Sequence, residues 1–338
     1  MKNFFINSLE IKLGETRRIN LDMGRLYNFT EVKIPVQVIR GNSEGPTLFI
    51  SSTVHGDEIN GIEIIKRLIK SKFLENIRGT LILIPIVNVF GFNDRSRYLP
   101  DRRDLNRCFP GLKNGSLASQ LAYKFMKEIV EKSDYGIDLH TGSFNRNNHP
   151  QLRANTDDKT TFDLAKSFGA PVIINSNLRD GSLREAVSGL KIPMLLYEGG
   201  EALRFNEKVI DLGVDGILSV MKKIKMISDY KKEINHKIFV AQSSQWVRAR
   251  HSGIHIPKKN LGALVAKGDV LGEISDPFGD SLVMVRACED GIIIGQSMLP
   301  LANKGDALFH IATKQHNKMS NKNAKYDYLV ENTDPVNK

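Results

Sequence analysis

An α/β fold, with a mainly parallel mixed sheet flanked by helices, is what the 338-residue sequence predicts. Two observations carry this. Five short apolar runs without polar alternation read as strands buried on both faces, and segments of helical period separate them. A third concerns the rest of the chain: near residue 236 the helical periodicity stops, and Gly-rich short β segments follow to about 313. The expected organisation is a large α/β domain over 1–235, a smaller all-β domain over 236–313 and a polar tail over 314–338.

In chain order, "RRINLDM" (17–23) and "VKIPVQVIRG" (32–41) alternate and read as edge strands leading into the core. "TLFISSTV", "GTLILIPIV", "YGIDL", "APVIINS" and "IPMLLYE" are the five buried strands. "INGIEIIKRLIKS", "SLASQLAYKFMKEIVEKS", "TTFDLAKSFG", "GSLREAVSGL" and the segment 206–227 are the helices between them. In such sheets ligands collect at the carboxyl ends of strands. The β-rich segment contains a weak repeat, "AKGDVLGEI" (266–274) echoed by "NKGDALFHI" (303–311), each a Lys-Gly-Asp turn feeding a strand. That pattern resembles biotinyl/lipoyl-like barrel-sandwich domains, although the segment between the copies lacks the carrier lysine, which leaves a structural or site-capping part. The tail is poor in apolar residues and is expected to be disordered.

Composition narrows the function classes. With 41% hydrophobic and 25% charged residues the chain is an ordinary globular protein. Its net charge of +10 permits an anionic partner, but the basic residues are scattered and aromatics make up only 7%, which argues against a nucleic-acid binder, and a small anionic substrate fits as well. Cys108 and Cys288 form no disulfide framework, so a cytoplasmic location is the simplest expectation. No window approaches the roughly eighteen apolar residues of a membrane helix. The sequence leaves homo-oligomerisation open.

The chemistry is read from strand ends. "HGDE" places His55 and Glu58 between the carboxyl end of a strand and the start of a helix. A histidine and a glutamate three apart there can face one point, and zinc accepts both donors at about 2.0–2.2 Å. A catalytic zinc takes three protein ligands and keeps one open place, so a third should come from another strand end. His140 in "YGIDLHTG" is the one histidine of the eight that fits, with Asp138 two residues earlier on the same face to orient its ring. Asp57 is read as a helix-start residue. Glu198 in "LLYEGGE", flanked by glycines on one side, is the acid/base candidate, with Glu201 as competitor. The loop "NDRSRYLPDRRDLNRCFPG" packs Arg95, Arg97, Arg102, Arg103 and Arg107 into thirteen residues. One arginine can hold a substrate carboxylate in bidentate fashion, and another can stabilise the oxyanion formed at a carbonyl.

"HGDE", "RYLPDRRDLNRCFPG", "DLHTG" and "YEGG", in this order, resemble the succinylglutamate desuccinylase/aspartoacylase family over roughly residues 45–225. The resemblance implies a zinc carboxypeptidase-like fold with one zinc per chain on His55, Glu58 and His140, and Glu198 as catalytic glutamate. It also implies substrate-carboxylate binding by Asn106 and Arg107, and oxyanion stabilisation by Arg97, with Arg102 or Arg103 as alternatives because the stretch from Arg97 to Asn106 is longer here. Arg103 and Arg184 are further expected substrate contacts. The function implied is removal of an N-acyl group from a small amino-acid-like compound. The competing readings are a zinc carboxypeptidase acting on peptides and a non-catalytic anion-binding module.

Overall fold

The structure is a computed structural model that describes residues 3–314 apart from 177, 232, 233 and 235. The predicted tail lies outside the described residues except for Lys314. β1 (Phe4–Ile6) and β2 (Leu9–Ile11) form a small antiparallel pair. β3 (Thr16–Arg25) and β4 (Glu31–Arg40) pair antiparallel, as their alternation predicts. Then come β5 (Ser43–Ser52), α1 (Asn60–Ile69), β6 (Arg78–Ile84), α2 (Val89–Asn93), α3 (Leu117–Glu128) and β7 (Tyr135–Gly142). They are followed by β8 (Arg146–Ala154), α4 (Lys159–Phe168), β9 (Val172–Asn175), α5 (Leu183–Gly189), β10 (Met194–Glu201) and α6 (Glu207–Lys223). Beyond residue 236 run β11 (Phe239–Ala241), β12 (Ser243–Arg248), β13 (Gly253–Pro257), β14 (Leu264–Val265), β15 (Val270–Ser275), β16 (Leu282–Arg286), β17 (Gly291–Ser297), β18 (Leu301–Ala302) and β19 (Ala307–Thr313).

β10, β7, β5 and β6 lie side by side in parallel and form the centre of a large mixed sheet, with antiparallel β4 and β3 on one flank and antiparallel β8 on the other. Alternation along these strands sorts the two faces. Leu48, Ile50, Ile137, Leu139, Leu195 and Tyr197 pack with α1, α4 and α6 through Ile64, Phe168 and Ile217. Phe49, Ile82 and Ile84 face the other way, towards α3 and α5 through Leu121, Phe125 and Leu183. Each fully buried Leu, Ile or Phe contributes about 1.5–3 kcal/mol, and two such layers fix the central sheet rigidly. No helix among the described residues is long and apolar enough to cross a membrane.

The β-rich segment does not stand apart from this sheet. β17 pairs with β8, β11 with β9, and β19 and β12 extend the same sheet, while β16, β15, β13 and β18 form a second antiparallel sheet. Leu271 and Ile274 from the second sheet meet Ile293, Phe309 and Ile311 from the first in one core, which is sandwich packing. The repeated turns are geometric copies. Gly268 and Gly305 both adopt a left-handed φ that favours glycine, and Asp269 and Asp306 each accept from the backbone N–H three residues earlier, at Ala266 and Asn303.

Candidate metal centre

The turn after β5 is held against the loop after β6, where Val87 and Asn88 donate to the carbonyls of Ser52 and Thr53. A Cβ at Gly56 would overlap the Gly91 backbone, so the close approach requires glycine. Glu58 N then donates to His55 O at 3.1 Å, which brings both side chains to one side. Helix α1 begins at Asn60 without a side-chain cap. Asp57 therefore does not act as the helix-start residue expected of it; it is buried, and its Oδ1 has no partner among the described residues.

On β7, Asp138 and His140 point to the face opposite Ile137 and Leu139, as a period of two demands. The result is a symmetric arrangement around Glu58. His55 Nδ1 and His140 Nδ1 each lie 2.7 Å from one of its oxygens, Oε1 and Oε2 respectively. The outer nitrogens face carboxylates as well, His55 Nε2 towards Asp104 Oδ1 at 3.2 Å and His140 Nε2 towards Asp138 Oδ2 at 2.6 Å. Ser51 Oγ donates to the other oxygen of Asp138 at 2.7 Å. All three central residues are buried, and one donor atom from each lies within 4.8 Å of the others, so the group can hold a metal ion. The donor chemistry fits a divalent ion such as zinc. Two imidazoles turn the same nitrogen towards a shared carboxylate, and each is backed by an acid that orients the ring and raises its basicity.

Electrostatics follow from this crowding. Burial opposes a charged His140, but Asp138 and Glu58 outweigh it and hold its pKa well above the usual histidine range. His55 is raised in the same way against burial, by Glu58 and Asp104. Glu58 is held well below the carboxylate range, its burial overcome by the two histidines. In metal-free protein the His140 contribution to stability is complete below its unfolded pKa of about 6.5 and is lost as pH rises through the raised folded value. Chelator-treated protein is therefore expected to melt at a lower temperature at about pH 9 than at about pH 6, and added zinc, which takes deprotonated imidazole, to reverse the trend. A metal-free Tm that climbs over the same interval would contradict the geometry.

Strand register puts Glu198 beside the group, since β10 aligns Glu198 with His140 on β7 and with Gln151 on β8. Its Oε2 accepts from Arg153 Nε at 2.9 Å and from Gln151 Nε2 at 3.2 Å. Oε1 carries neither bond. Arg97 is also at the centre, donating to Asp104 Oδ2 from Nε at 3.2 Å and Nη2 at 2.9 Å, and to Glu58 Oε1 from Nη1 at 3.3 Å. Asn106 Oδ1 accepts from Leu183 N at 2.9 Å, and Arg107 Nη1 donates to Asn106 O. Arg184 is buried on Ser176, and burial followed by the nearby Arg153 pushes its pKa down to about 10.

The three central residues, Asp138, Glu198, Arg97, Asn106, Arg107, Arg153 and Arg184 line a cleft of about 440 Å3 that also takes in Arg146, Arg179, Trp246 and His310. Arg102 and Arg103 are not brought there: both are exposed and line no part of the cleft, Arg103 facing Asp101 at 3.9 Å. Six arginines, Arg97, Arg107, Arg146, Arg153, Arg179 and Arg184, thus share the cleft with three carboxylates, Glu58, Asp138 and Glu198, a balance that favours an anionic ligand. Trp246 stacks on His310 with ring centroids 4.4 Å apart, and Arg146 covers the indole at 5.1 Å. The β-rich segment therefore supplies one wall. Sequence reasoning did not single out Asp104, Arg146, Gln151, Arg153, Arg179, Trp246 or His310. A signal existed for two of them, because Gln151 and Arg153 alternate with the buried Leu152 and Ala154.

Residues 44–224 match the family described as succinylglutamate desuccinylase/aspartoacylase catalytic domain. The chain is 27% identical over 294 residues to an N-alpha-acetyl-L-2,4-diaminobutyric acid deacetylase of Halomonas elongata, a match covering 83% of this chain and 86% of that protein. Its fold is similar to that of a succinylglutamate desuccinylase/aspartoacylase from Rhodobacter sphaeroides, with a TM-score of 0.79, 24% identity and coverage of 91% and 98% of the two chains. It is similar also to the product-bound ectoine utilization protein EutE from Ruegeria pomeroyi, with a TM-score of 0.80, 24% identity and coverage of 90% and 97%.

Proposed function

From the premise that this chain belongs to the succinylglutamate desuccinylase/aspartoacylase family, we propose that it is a zinc-dependent hydrolase removing an N-acyl group from a small anionic amino-acid-like compound. The observation that carries the reading is the meeting of His55 and His140 on the two oxygens of Glu58, with Glu198 on the adjoining strand. His55, Glu58 and His140 would hold the zinc, which would supply polarisation of the scissile carbonyl and a lowered pKa, about 7, for the attacking water. Glu198 receives the proton of that water on Oε1, while Oε2 stays on Arg153 and Gln151, and returns the proton to the leaving nitrogen. Arg97, anchored on Asp104, stabilises the negative charge that develops on the carbonyl oxygen. Asn106 and Arg107 anchor the substrate carboxylate, with Arg184 as a further contact. The relative's diamino-acid substrate agrees with the small size of this proposed ligand and differs from it in charge.

Trp246, His310 and Arg146 wall one side of the cleft, and the reading is a small N-acyl amino-acid substrate rather than a peptide chain. A panel of N-acyl amino acids beside C-terminal dipeptides tests this. Hydrolysis of the former and not the latter is expected, and the reverse would make the protein a carboxypeptidase. Within the panel, Arg107→Ala is expected to raise KM roughly ten- to a hundredfold, the worth of a charge-assisted bond, with kcat changed far less. An unchanged KM would remove Arg107 from the anchor.

A further inference from the structure

The cleft opens into a second, larger groove of about 610 Å3, and Arg97, Tyr98, Ser143 and Arg146 line both. Asn106, Arg107, Arg153, Arg179 and Arg184 line the cleft alone, whereas the groove carries three arginines, Arg95, Arg97 and Arg146, with two carboxylates, Asp57 and Asp306. Beside these charged groups the groove presents exposed apolar side chains. Phe144, Leu299 and Leu301 are 64%, 47% and 71% exposed, and Tyr98 at the junction is 49% exposed. Isolated exposed apolar side chains are ordinary, but several converging on a groove that leads to a catalytic cleft mark a ligand surface. The wall is built deliberately by the sheet. β17 pairs with β8 through Ser297 and Arg146, and Met298 N donates to Asn145 O at 2.8 Å, which sets the turn carrying Phe144 beside the loop carrying Leu299.

We propose that this groove receives the acyl chain of the substrate, so that the protein acts on N-acyl amino acids whose acyl group is extended and aliphatic in preference to N-acetyl ones. The inference rests on the deacylase reading above and fixes its substrate class. Direction follows from the amide itself. The carboxylate lies on the nitrogen side of the scissile bond and is held by Asn106 and Arg107, so the substituent on the carbonyl carbon leaves on the other side, past Arg97. Arg97 is the residue that belongs to the metal centre, the cleft and the groove at once. Tyr98, Phe144 and Leu299 line the groove with it.

The test is a series of N-acetyl-, N-butyryl-, N-hexanoyl- and N-octanoyl-L-glutamate and the same acyl series on L-2,4-diaminobutyrate, assayed with the zinc-loaded full chain. A partly open groove should give about twofold per methylene, up to about fourfold for complete burial, so kcat/KM is expected to rise at least tenfold from acetyl to octanoyl. Phe144→Asp and Leu301→Asp alter exposed positions outside the catalytic machinery. They are expected to leave acetyl-substrate turnover within about twofold and to cut the octanoyl advantage to threefold or less. Hydrolysis of every substrate with no dependence on chain length, or a dependence unaffected by both variants, would overturn the groove assignment and leave the deacylase reading standing. Hydrolysis of none would overturn both.

Discussion

Glu198→Gln is expected to bind as much metal as the parent protein and to turn substrate over at least a hundredfold more slowly, the usual worth of general acid–base help. The substitution is a clean one because its surroundings can accept it. The amide oxygen of the new side chain can keep the bonds from Arg153 Nε and Gln151 Nε2 that now hold Oε2, so neither donor is stranded. Glu198 contributes no donor atom to the His55, Glu58 and His140 group, so metal content should not move. What disappears is a basic oxygen facing the cleft. KM should change little, since the proposed carboxylate anchor is on Asn106 and Arg107. Near-normal turnover would remove Glu198 from the mechanism, and loss of metal would make it a ligand instead.

The other large effect is expected from His140→Ala, which takes away one imidazole and breaks the link between two buried carboxylates. Losing metal assistance costs several kcal/mol of transition-state stabilisation, about a thousandfold or more in kcat/KM. Stability should fall too. Asp138 and Glu58 would be left buried with only Ser51 Oγ, His55, Arg97 and Thr141 N as partners, and stripping one member from a buried charged network is strongly destabilising. Asp104→Asn separates metal affinity from folding. It spares all three donors while removing the charge behind His55 and opposite Arg97, so a ten- to hundredfold drop in metal affinity is expected from an intact fold, read by metal binding because turnover would also register the loosened Arg97. An Asp104→Asn protein with unchanged affinity would mean that the acid does not orient the ring.

The parts of this site that were legible in the sequence sit on apolar strands. His55, His140 and Glu198 each follow a run that could only be a buried strand, and a strand's carboxyl end in an α/β sheet is a place where side chains converge. What stayed hidden came from segments whose polarity concealed their order. β8 was not among the strands read from the sequence because Arg153 faces a charged cleft and Gln151 binds Glu198, and only the alternating Leu152 and Ala154 betray the strand. Asp104 was lost among the five arginines of its loop, where a solvated charge run looks the same as a folded network. The wall of Trp246 and His310 is formed by strands that join the sheet through β17 and β8, whose paired residues, such as Gly295 and Asn148, are far apart in sequence, and no local pattern encodes that pairing. The fold class and the mixed sheet were readable for the opposite reason, since burial on both faces leaves an unbroken apolar signature.

The central claim is that side chains from two strand ends, β5 and β7, share one divalent ion. Metal analysis of the purified protein and its His140→Ala variant tests this most directly. The account predicts one zinc per chain in the parent and well under one in the variant; a fully active parent without stoichiometric metal, or a variant that keeps its zinc, would contradict it.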